Sequence, residues 1–258
     1  MYHADRRDAC PTVVCFTRPL SYPWEGWASR VALRIVSRTP QMRDILFNAA
    51  SALGISLSEQ ELILFETYHR ELLAWNKKIN LVSVKSDIDI PIKHFLDSLT
   101  LLPFIQDTRG QVLDIGSGAG FPGIPLKIVI NSLKVFLLES SRKKFSFLKH
   151  IIRTLHLTDI TAIHNRAEYL MEDESYRGFF DLVTSRAALK LPQLLRIGAY
   201  FLSLNGTIIA MKGRKSEEEL QEAVFISQNL GLQYVASHDI TLPKTGDLRK
   251  IIIYEKIF

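Results

Sequence analysis

A glycine-rich segment at residues 114–120 constrains the fold of this chain more than any other feature. It reads Asp-Ile-Gly-Ser-Gly-Ala-Gly, and its first two residues are the last two of the predicted strand 111–115. A segment with helical character follows it and starts near Phe121. Glycine permits the tight turn and the close ligand approach that a strand-to-helix junction needs at the carboxyl edge of a parallel sheet. The segment therefore predicts an α/β domain with a ligand site at this edge.

Short β-rich runs alternate with amphipathic segments after Gly110, a pattern typical of parallel βαβ units. The last two runs are separated only by residues 243–247, Pro-Lys-Thr-Gly-Asp, and so short a turn joins antiparallel neighbours. We therefore expect a Rossmann-like, seven-stranded, mostly parallel sheet whose last strand is antiparallel. The predicted strands are 111–115, 134–139, 160–164, 180–185, 207–212, 233–241 and 249–254, and the predicted helices between them are about 121–130, 142–157, 191–202 and 216–230.

The residues that precede this alternation predict helices rather than strands. Apolar residues fall on one helical face until Gly54 stops the pattern, and Ser58 with Glu61 forms a capping box for a second helix. A third helix is expected at about 92–104. The predicted regions are an extension at 1–41, an N-terminal helical region at 42–109 and the main domain at 110–258.

Residues 1–41 differ in composition from the rest of the chain. They hold six arginines against three acidic residues, contain both cysteines, Cys10 and Cys15, and show neither a helical nor a strand period. We expect this segment to be an extension that is disordered or that results from a mis-assigned start, with Met42 as the true first residue.

Composition limits the class of protein. More than half of the net charge of +5 lies in residues 1–41, so the rest of the chain barely supports nucleic-acid binding by charge alone. The absence of cysteine from residues 42–258 excludes a disulfide framework there and fits a reducing cytosol. No apolar run approaches the roughly 20 residues that span a bilayer. We therefore expect a cytoplasmic, monomeric protein without a membrane partner.

The spacing of the glycines discriminates among nucleotide ligands. A dinucleotide fingerprint needs a glycine where Phe121 stands, and a phosphate-binding P-loop needs a Gly-Lys-Ser/Thr sequence that is absent. The G-x-G-x-G spacing after Asp114 instead suits S-adenosylmethionine, which has no pyrophosphate. We therefore expect the class I fold of S-adenosylmethionine-dependent methyltransferases, with the helices of 42–109 as an N-terminal cap.

Two further positions favour this cofactor. Glu139 ends the second strand about 20 residues after the loop, where a carboxylate can accept both ribose hydroxyls, although a solvated acid at a strand end is the alternative. Arg166-Ala167-Glu168 follows the third strand, where an adenine ring would be bounded. Glu168 could equally be an acid in the first turn of a short helix, which the helix dipole favours.

The segment Ser185-Arg186-Ala187, at the end of the fourth strand, is where such folds place groups that face the acceptor. An exocyclic-amine methylase would show an Asn/Asp-Pro-Pro-aromatic run and a pyrimidine-C5 enzyme a cysteine nucleophile, and neither is present. This points to an acceptor atom that is already nucleophilic, such as guanine N7, and to catalysis by positioning. Arg186 and Lys212, at adjacent strand ends, are the candidate catalytic residues, because both residue types pair with a guanine edge; no general base is expected.

Local basic clusters bear on an RNA partner. Arg142-Lys143-Lys144 opens a helix near the ligand edge, and Lys212-Gly-Arg214-Lys215 follows the fifth strand. Basic residues on a helix face are usually just solvated surface. Because these two clusters lie at the ligand edge of the sheet, contact with RNA phosphates is the alternative interpretation. His94 and Asp97 lie one helical turn apart. Because no further ligands accompany them, we expect a local hydrogen bond or a pocket wall there rather than a metal site.

Seven motifs between about Leu73 and the C-terminus together resemble one protein family. They are Trp75-Asn-Lys-Lys-Ile-Asn-Leu81, His94-Phe-Leu-Asp-Ser98, Asp114-Ile-Gly-Ser-Gly-Ala-Gly-Phe-Pro-Gly-Ile-Pro125, Lys143-Lys-Phe-Ser-Phe-Leu148, Arg166-Ala-Glu168, Ser185-Arg-Ala187 and Lys212-Gly213. The family is that of the bacterial RsmG (GidB) 16S rRNA guanine-N7 methyltransferases. The resemblance implies S-adenosylmethionine as cofactor and one guanine in the 530 loop of 16S rRNA (position 527 in the usual rRNA numbering) as substrate. It also implies direct in-line methyl transfer without a covalent enzyme intermediate.

The resemblance and the strand positions together define a candidate site. Candidate cofactor contacts are Asp114, Gly116, Gly118, Gly120, Phe121, Glu139, Ser140, Ser141, Ala167, Glu168 and Arg186. Candidate RNA contacts are Lys143, Lys144, Arg166, Lys212 and Arg214. No metal ligand is expected, and the expected partner is 16S rRNA or the small ribosomal subunit particle.

Two other functions are compatible with the sequence. One is an S-adenosylmethionine-dependent methyltransferase that acts on a small molecule or a protein, since the fold alone does not fix the substrate. The other is a cofactor-binding module without catalysis. Unaffected rRNA methylation by variants at Lys143, Arg166 or Lys212 would favour the first, and cofactor binding without any labelled RNA would favour the second.

Overall fold

The computed structural model of the protein describes residues 41–105, 109–213 and 217–258. The expectations for residues 1–40, the predicted RNA contact Arg214 and the predicted helix start at Ser216 therefore lie outside the described residues. Among the residues that are described, none of the helices has the length and apolar character needed to cross a membrane.

Seven strands form one central sheet. The strands are β1 (Gln111–Ile115), β2 (Lys134–Glu139), β3 (Ile160–His164), β4 (Phe180–Arg186), β5 (Leu202–Lys212), β6 (Leu232–Thr241) and β7 (Leu248–Lys256). Their order is β3-β2-β1-β4-β5-β7-β6, in which β1 to β5 pair in parallel and β7 runs antiparallel between β5 and β6. This confirms the predicted fold class. The strand order reverses between β1 and β4, and the crevice beyond the carboxyl ends of such strands is where open α/β sheets bind ligands.

Helices connect the strands and precede the sheet. They are α1 (Met42–Ala52), α2 (Glu59–Asn76), α3 (Asp97–Leu99), α4 (Gly123–Val129), α5 (Arg142–Thr154), α6 (Ala167–Leu170), α7 (Leu191–Phe201) and α8 (Glu217–Asn229), with a π-helix at Asp89–Leu96 and 3₁₀ turns at Leu102–Phe104 and Glu174–Tyr176. The predicted capping box is confirmed, because Ser58 Oγ accepts the Glu61 N–H and Glu61 Oε2 accepts the Ser58 N–H. These two bonds satisfy backbone donors that the first turn of α2 cannot satisfy itself.

The third predicted helix begins earlier than expected and is mostly π-helical. It starts at Asp89, whose Oδ2 atom accepts the backbone N–H groups of Lys85 and Ser86 at 2.6 and 2.9 Å. Pro91 lies in the first turn, where backbone N–H groups have no acceptor within the helix, so the missing N–H of proline costs no helical hydrogen bond. Isolated π-helical turns are frequent at functional sites, and this one carries His94 to the carboxyl edge of the sheet.

Apolar side chains cover both faces of the sheet. One buried cluster contains Val112 of β1 together with Phe65 of α2 and Phe95 of the π-helix, and a second contains Leu113 and Ile115. Successive side chains of a strand point to opposite faces, so β1 contributes to both clusters. The N-terminal helices thus share a hydrophobic core with the sheet, and this packing holds α2 and the π-helix beside the glycine loop.

Candidate functional site

The glycine loop after β1 is tied to β2 by hydrogen bonds. The N–H groups of Gly116 and Ser117 both donate to the Leu138 carbonyl, at 2.9 and 3.1 Å, and the Gly118 N–H donates to Glu139 Oε2 at 2.9 Å. All three glycines of the predicted motif have a positive φ, which residues with side chains rarely adopt. The loop conformation therefore favours glycine at these positions.

Gly116 also makes room for the segment that follows β4. A Cβ atom added to Gly116 would lie only 2.4 Å from the Cβ atom of Ala188. The glycine loop and the segment 187–190 therefore approach each other closely at this point. Two pockets adjoin here, and both are lined by Gly116 and Ala188.

These two pockets bring together many of the predicted cofactor residues. The first, of about 230 Å³, is lined by the predicted residues Gly116, Ser140, Ala167 and Glu168, and the second, of about 240 Å³, by Gly116, Gly118, Phe121 and Arg186. Asp114, Gly120, Glu139 and Ser141 line neither pocket. Lining residues that were not predicted as cofactor contacts include Leu81, Val82, Asn165, Ala188 and Leu189. For Ala188 and Leu189 the available signal was their position directly after Ser185-Arg-Ala187.

Glu139 supports the loop in addition to any contact with a ligand. Its Oε2 atom accepts the Gly118 N–H at 2.9 Å and its Oε1 atom accepts the Ser141 N–H at 2.7 Å, and the residue is only 6% exposed. Each carboxylate oxygen has a second lone pair. The ribose contact predicted for Glu139 therefore stays a prediction, and the role of this carboxylate in fixing the loop was not predicted from the sequence.

Asp114 is completely buried beneath the loop. Its Oδ2 atom accepts the Gly123 N–H at 2.9 Å, at the start of α4, whereas its Oδ1 atom has no hydrogen-bond partner. Burial raises the pKa of Asp114 to about 7, although the Gly123 N–H and the Arg186 charge act in the opposite direction. In this structure Asp114 holds the loop to α4, and its predicted contact with the cofactor stays a prediction.

Replacing Asp114 with asparagine is expected to raise thermal stability more at pH 8 than at pH 5. The folded-state pKa lies above the ordinary value, so the folded state binds more protons and the wild-type protein loses stability as pH rises from about 4 to about 7. Asparagine keeps an acceptor for the Gly123 N–H and carries no charge. The difference in Tm between variant and wild type should grow by roughly 5 °C between these two pH values, as followed by thermal unfolding. An equal difference in Tm at pH 5 and pH 8 would show that ionisation of the buried Asp114 does not destabilise the folded protein.

Arg186 lies between the second pocket and a third, larger pocket of about 510 Å³. Its Nη1 atom donates to the Lys93 carbonyl at 2.9 Å and to Asp97 Oδ2 at 3.3 Å, and its Nη2 atom donates to His94 Nδ1 at 2.9 Å. The guanidinium carbon is 4.8 Å from the centroid of the Phe121 ring. Contacts with the π-helix, with Asp97 and with the glycine loop thus hold the planar guanidinium in one orientation.

His94 is neutral in this arrangement. Burial is the largest cause, and the positive charge of Arg186 the second, of a pKa of His94 that is lowered to about 3. The imidazole stacks on Phe121, with ring centroids 5.0 Å apart. Because Nδ1 accepts a bond from Arg186, the proton of the neutral ring is assigned to Nε2. His94 and Asp97 both line the third pocket, which confirms the predicted pocket wall. Among the described residues, no group of three or more His, Cys, Asp or Glu side chains is placed to hold a metal ion.

Asp97 joins Arg186 to Arg249, which the sequence analysis did not single out. Arg249 Nε lies 3.1 Å from each carboxylate oxygen of Asp97, and Asp97 is only 2% exposed. A buried carboxylate is costly unless it is paired, and here two guanidinium groups share it. The partners are 152 positions apart in the chain, so no local pattern pairs them.

Lys212 is engaged with the protein itself. Its Nζ atom donates to the Leu189 carbonyl at 2.5 Å and lies 2.8 Å from Glu219 Oε2, and the side chain is only 9% exposed. Lys212 and Arg186 end adjacent strands, as predicted, and both line the third pocket. Two of the three ammonium N–H donors have protein acceptors, so the predicted contact with guanine stays a prediction.

The basic residues predicted to contact RNA do not line one common pocket. Lys143 and Lys144 line a groove of about 430 Å³, Arg166 lines the first pocket and Lys212 the third, while Arg214 lies outside the described residues. Lys77 and Lys78, directly after α2, also line the groove; their motif was noted in the sequence, but they were not predicted as RNA contacts. Positive charge therefore borders the two adjoining pockets on more than one side.

The two adjoining pockets suit an elongated, cationic nucleoside such as S-adenosylmethionine. The glycine loop leaves a cradle in which the close approach of Ala188 excludes any side chain at Gly116. The Glu139 carboxylate accepts the Gly118 N–H of the loop, and the buried Asp114 Oδ1 atom has no hydrogen-bond donor. The carboxylate of Glu139 at this place attracts a positively charged ligand.

Comparison with known sequences matches most of the chain to one family. The family model described as "GidB: rRNA small subunit methyltransferase G" matches residues 61–241. The ribosomal RNA small subunit methyltransferase G of Syntrophus aciditrophicus is 49% identical over 209 residues, which are 81% of this chain and 87% of that protein. The protein of the same name from Geotalea uraniireducens is 40% identical over 215 residues, which are 83% of this chain and 97% of that protein.

Solved structures with a similar fold are more distant in sequence. M. jannaschii TYW2, solved in complex with AdoMet, has a TM-score of 0.51 and 19% identity, and the match covers 63% of this chain and 76% of that one. TrmN from Thermus thermophilus has a TM-score of 0.52 and 13% identity, and the match covers 65% and 53% of the two chains. At such identities the likeness supports the fold alone.

Proposed function

We propose, from the premise that this chain belongs to the GidB family of rRNA small subunit methyltransferases, that it methylates N7 of one guanine in the 530 loop of 16S rRNA. Membership of this family makes the chain an S-adenosylmethionine-dependent rRNA methyltransferase. The base, its atom and the loop are the proposed part. The observation that carries them is the position of Arg186, between the pockets that suit the cofactor and a larger pocket that suits a base.

The adjoining pockets would hold the cofactor on either side of Gly116. S-adenosylmethionine supplies an electrophilic methyl group on a positively charged sulfur. Ala167 and Glu168 line the pocket that would bound the adenosine, and Gly118 and Phe121 line the pocket on the side of Arg186. The chain binds and orients the cofactor there, and the packed segment 187–190 helps to exclude water.

The third pocket would hold the guanine with its N7 edge towards Arg186. The N7 lone pair needs no deprotonation, and the neutral ring of His94 is not required as a base. Arg186 makes three hydrogen bonds to protein acceptors, so two of its five N–H donors remain for the base. A hydrogen bond from Arg186 to O6 leaves the N7 lone pair free, and catalysis then consists of positioning.

The groove beside these pockets would hold the RNA backbone. Lys144 lines both the groove and the second pocket, so phosphates that flank the target base would meet Lys77, Lys78 and Lys143 next to the reaction site. The enzyme is proposed to act in the cytoplasm, as a monomer, on 16S rRNA or on the small-subunit particle.

Transfer of a labelled methyl group tests the substrate class. The enzyme is incubated with labelled S-adenosylmethionine and with 16S rRNA, small-subunit particles, total protein or a small-molecule extract from a strain that lacks the enzyme. Label is expected in the rRNA or the particle alone. Label confined to protein or small molecules would replace the rRNA assignment, and cofactor binding without any labelled product would indicate a module without catalysis.

Replacing Lys143 with alanine is expected to raise the KM for RNA by about 5-fold to 10-fold and to reduce the salt dependence of RNA binding by about one charge. The affinity for S-adenosylmethionine should stay unchanged, because Lys143 lines the groove and neither cofactor pocket. Lys134→Ala is the matched control, since Lys134 is exposed at the start of β2, at the opposite edge of the sheet. Equal RNA affinities in the two variants, measured by titration at several salt concentrations, would remove the groove from the RNA interface.

A further inference from the structure

Glu219, in α8, links the start of α7 to the end of β5. Its Oε2 atom accepts the Leu191 N–H at 2.6 Å and also lies 2.8 Å from Lys212 Nζ. Lys212 Nζ in turn donates to the Leu189 carbonyl at 2.5 Å. A single carboxylate oxygen of Glu219 thus holds both the first turn of α7 and the lysine that ends β5.

Glu219 also supplies a helix cap that the local sequence lacks. The residue before α7, Lys190, makes no side-chain hydrogen bond to the helix. The first N–H groups of any helix have no acceptor within the helix, and the Leu191 N–H finds its acceptor in Glu219 instead. The segment 187–190 is therefore anchored at its end by a residue from a different element.

The anchored segment forms a wall shared by the adjoining pockets. It contains no helix or strand, and its first residue, Ala187, has a φ of +55°, which is unfavourable for a residue with a side chain. Ala188 lies against Gly116 and lines both pockets, and Leu189 lines the first. A strained, irregular segment keeps such a position only when its surroundings hold it.

We propose that Glu219 is a positioning residue for methyl transfer, which holds the segment 187–190 against the glycine loop through Leu191 and Lys212. The inference rests on the proposed placement of the cofactor in the two adjoining pockets. Glu219 itself lines none of these pockets, so it acts through Lys212 and the backbone. Lys212 then serves the reaction at least partly by holding Leu189.

Substitutions of Glu219 can distinguish whether the segment 187–190 is held by a hydrogen-bond acceptor at this position or by its negative charge. Since one oxygen of Glu219 takes both bonds, the amide oxygen of Glu219→Gln can accept both of them. Glu219→Asp keeps the charge but has a side chain one methylene shorter, which draws the carboxylate away from at least one donor. Glu219→Ala removes the acceptor. Glu222→Ala, at an exposed position one turn later in α8, is the matched control.

Equilibrium binding of S-adenosylmethionine, measured by calorimetry without RNA, tests the proposal alongside the Tm of each variant. The Kd is expected to rise about 10-fold in Glu219→Ala and in Glu219→Asp, and to stay within about 3-fold of wild type in Glu219→Gln and Glu222→Ala. Wild-type affinity in both Glu219→Ala and Glu219→Asp would overturn the proposal. A Glu219→Gln variant as weak as Glu219→Ala would overturn it as well. Because no RNA is present, either failure is distinguishable from a failure of the rRNA assignment.

Discussion

Replacing Gly116 with alanine is expected to raise the Kd for S-adenosylmethionine at least about 100-fold and so to abolish methyl transfer at ordinary cofactor concentrations. Gly116 has a φ of +73°, and its new Cβ atom would lie 2.4 Å from the Ala188 Cβ atom. Relief of this clash moves either the glycine loop, which is bonded to Leu138, or the segment 187–190. Both line the adjoining pockets, so either movement deforms the proposed cofactor site. Calorimetric titration with the cofactor measures the effect.

Gly54→Ala separates backbone strain from the clash. Gly54 also has a φ of +73°, but nothing lies within 4 Å of the position of its Cβ atom, and it belongs to the turn after α1. This control should lose a few degrees of Tm and keep its affinity for the cofactor. Cofactor binding by Gly116→Ala within about 3-fold of wild type would show that the two adjoining pockets are not the cofactor site.

Replacing Arg186 with methionine is expected to lower the single-turnover rate of RNA methylation at saturating S-adenosylmethionine by a factor of about 100 to 1,000. The guanidinium lies between the second and third pockets and is held by Lys93, His94 and Asp97. Its loss removes the donors that would orient the base, whereas Asp97 keeps its bonds to Arg249. Rates at saturating S-adenosylmethionine isolate this step from cofactor binding.

Two further variants identify what Arg186 contributes. Arg186→Lys keeps the positive charge but loses the planar fork, and it should remain impaired because its ammonium cannot reproduce the bonds to three acceptors and to the base. Arg196→Met, at an exposed position in α7, should react at the wild-type rate. Full activity of Arg186→Lys would mean that charge alone matters, contrary to the orientation argument.

The strands were largely predictable because their apolar runs are bounded by polar and turn-forming residues. The bounds of β1, β2 and β3 agree with the predicted ranges. The bounds of β4, β6 and β7 differ from the predicted ranges by one or two residues. The largest difference is in β5, which begins at Leu202 rather than at Thr207, because Leu202 pairs with Phe180 across an irregularity in register. Asn205, with a φ of +64°, and Gly206 lie within this first part of β5 and resemble a turn in the sequence.

The contacts that hold the site were not predictable from local patterns. Asp97 and Arg249 are 152 positions apart in the chain. Lys212 and Glu219 are close in sequence, but they belong to a strand and a helix with different periodicities, so no single local pattern pairs them. The sequence located Glu139 at the correct strand end, but its two bonds to backbone N–H groups depend on how the loop folds back. The division of the chain at 1–41, 42–109 and 110–258 stays a prediction, as do the individual RNA contacts.

Chemical strand scission at 7-methylguanine tests the proposed reaction most directly. Small-subunit rRNA from a strain that lacks the enzyme is incubated with S-adenosylmethionine and the wild-type protein, then reduced, cleaved with aniline and mapped by primer extension. The account predicts one new cleavage, at a guanine of the 530 loop, that is absent without enzyme and strongly reduced with Arg186→Met. Methyl incorporation without cleavage in that loop, or cleavage at another guanine, would contradict it.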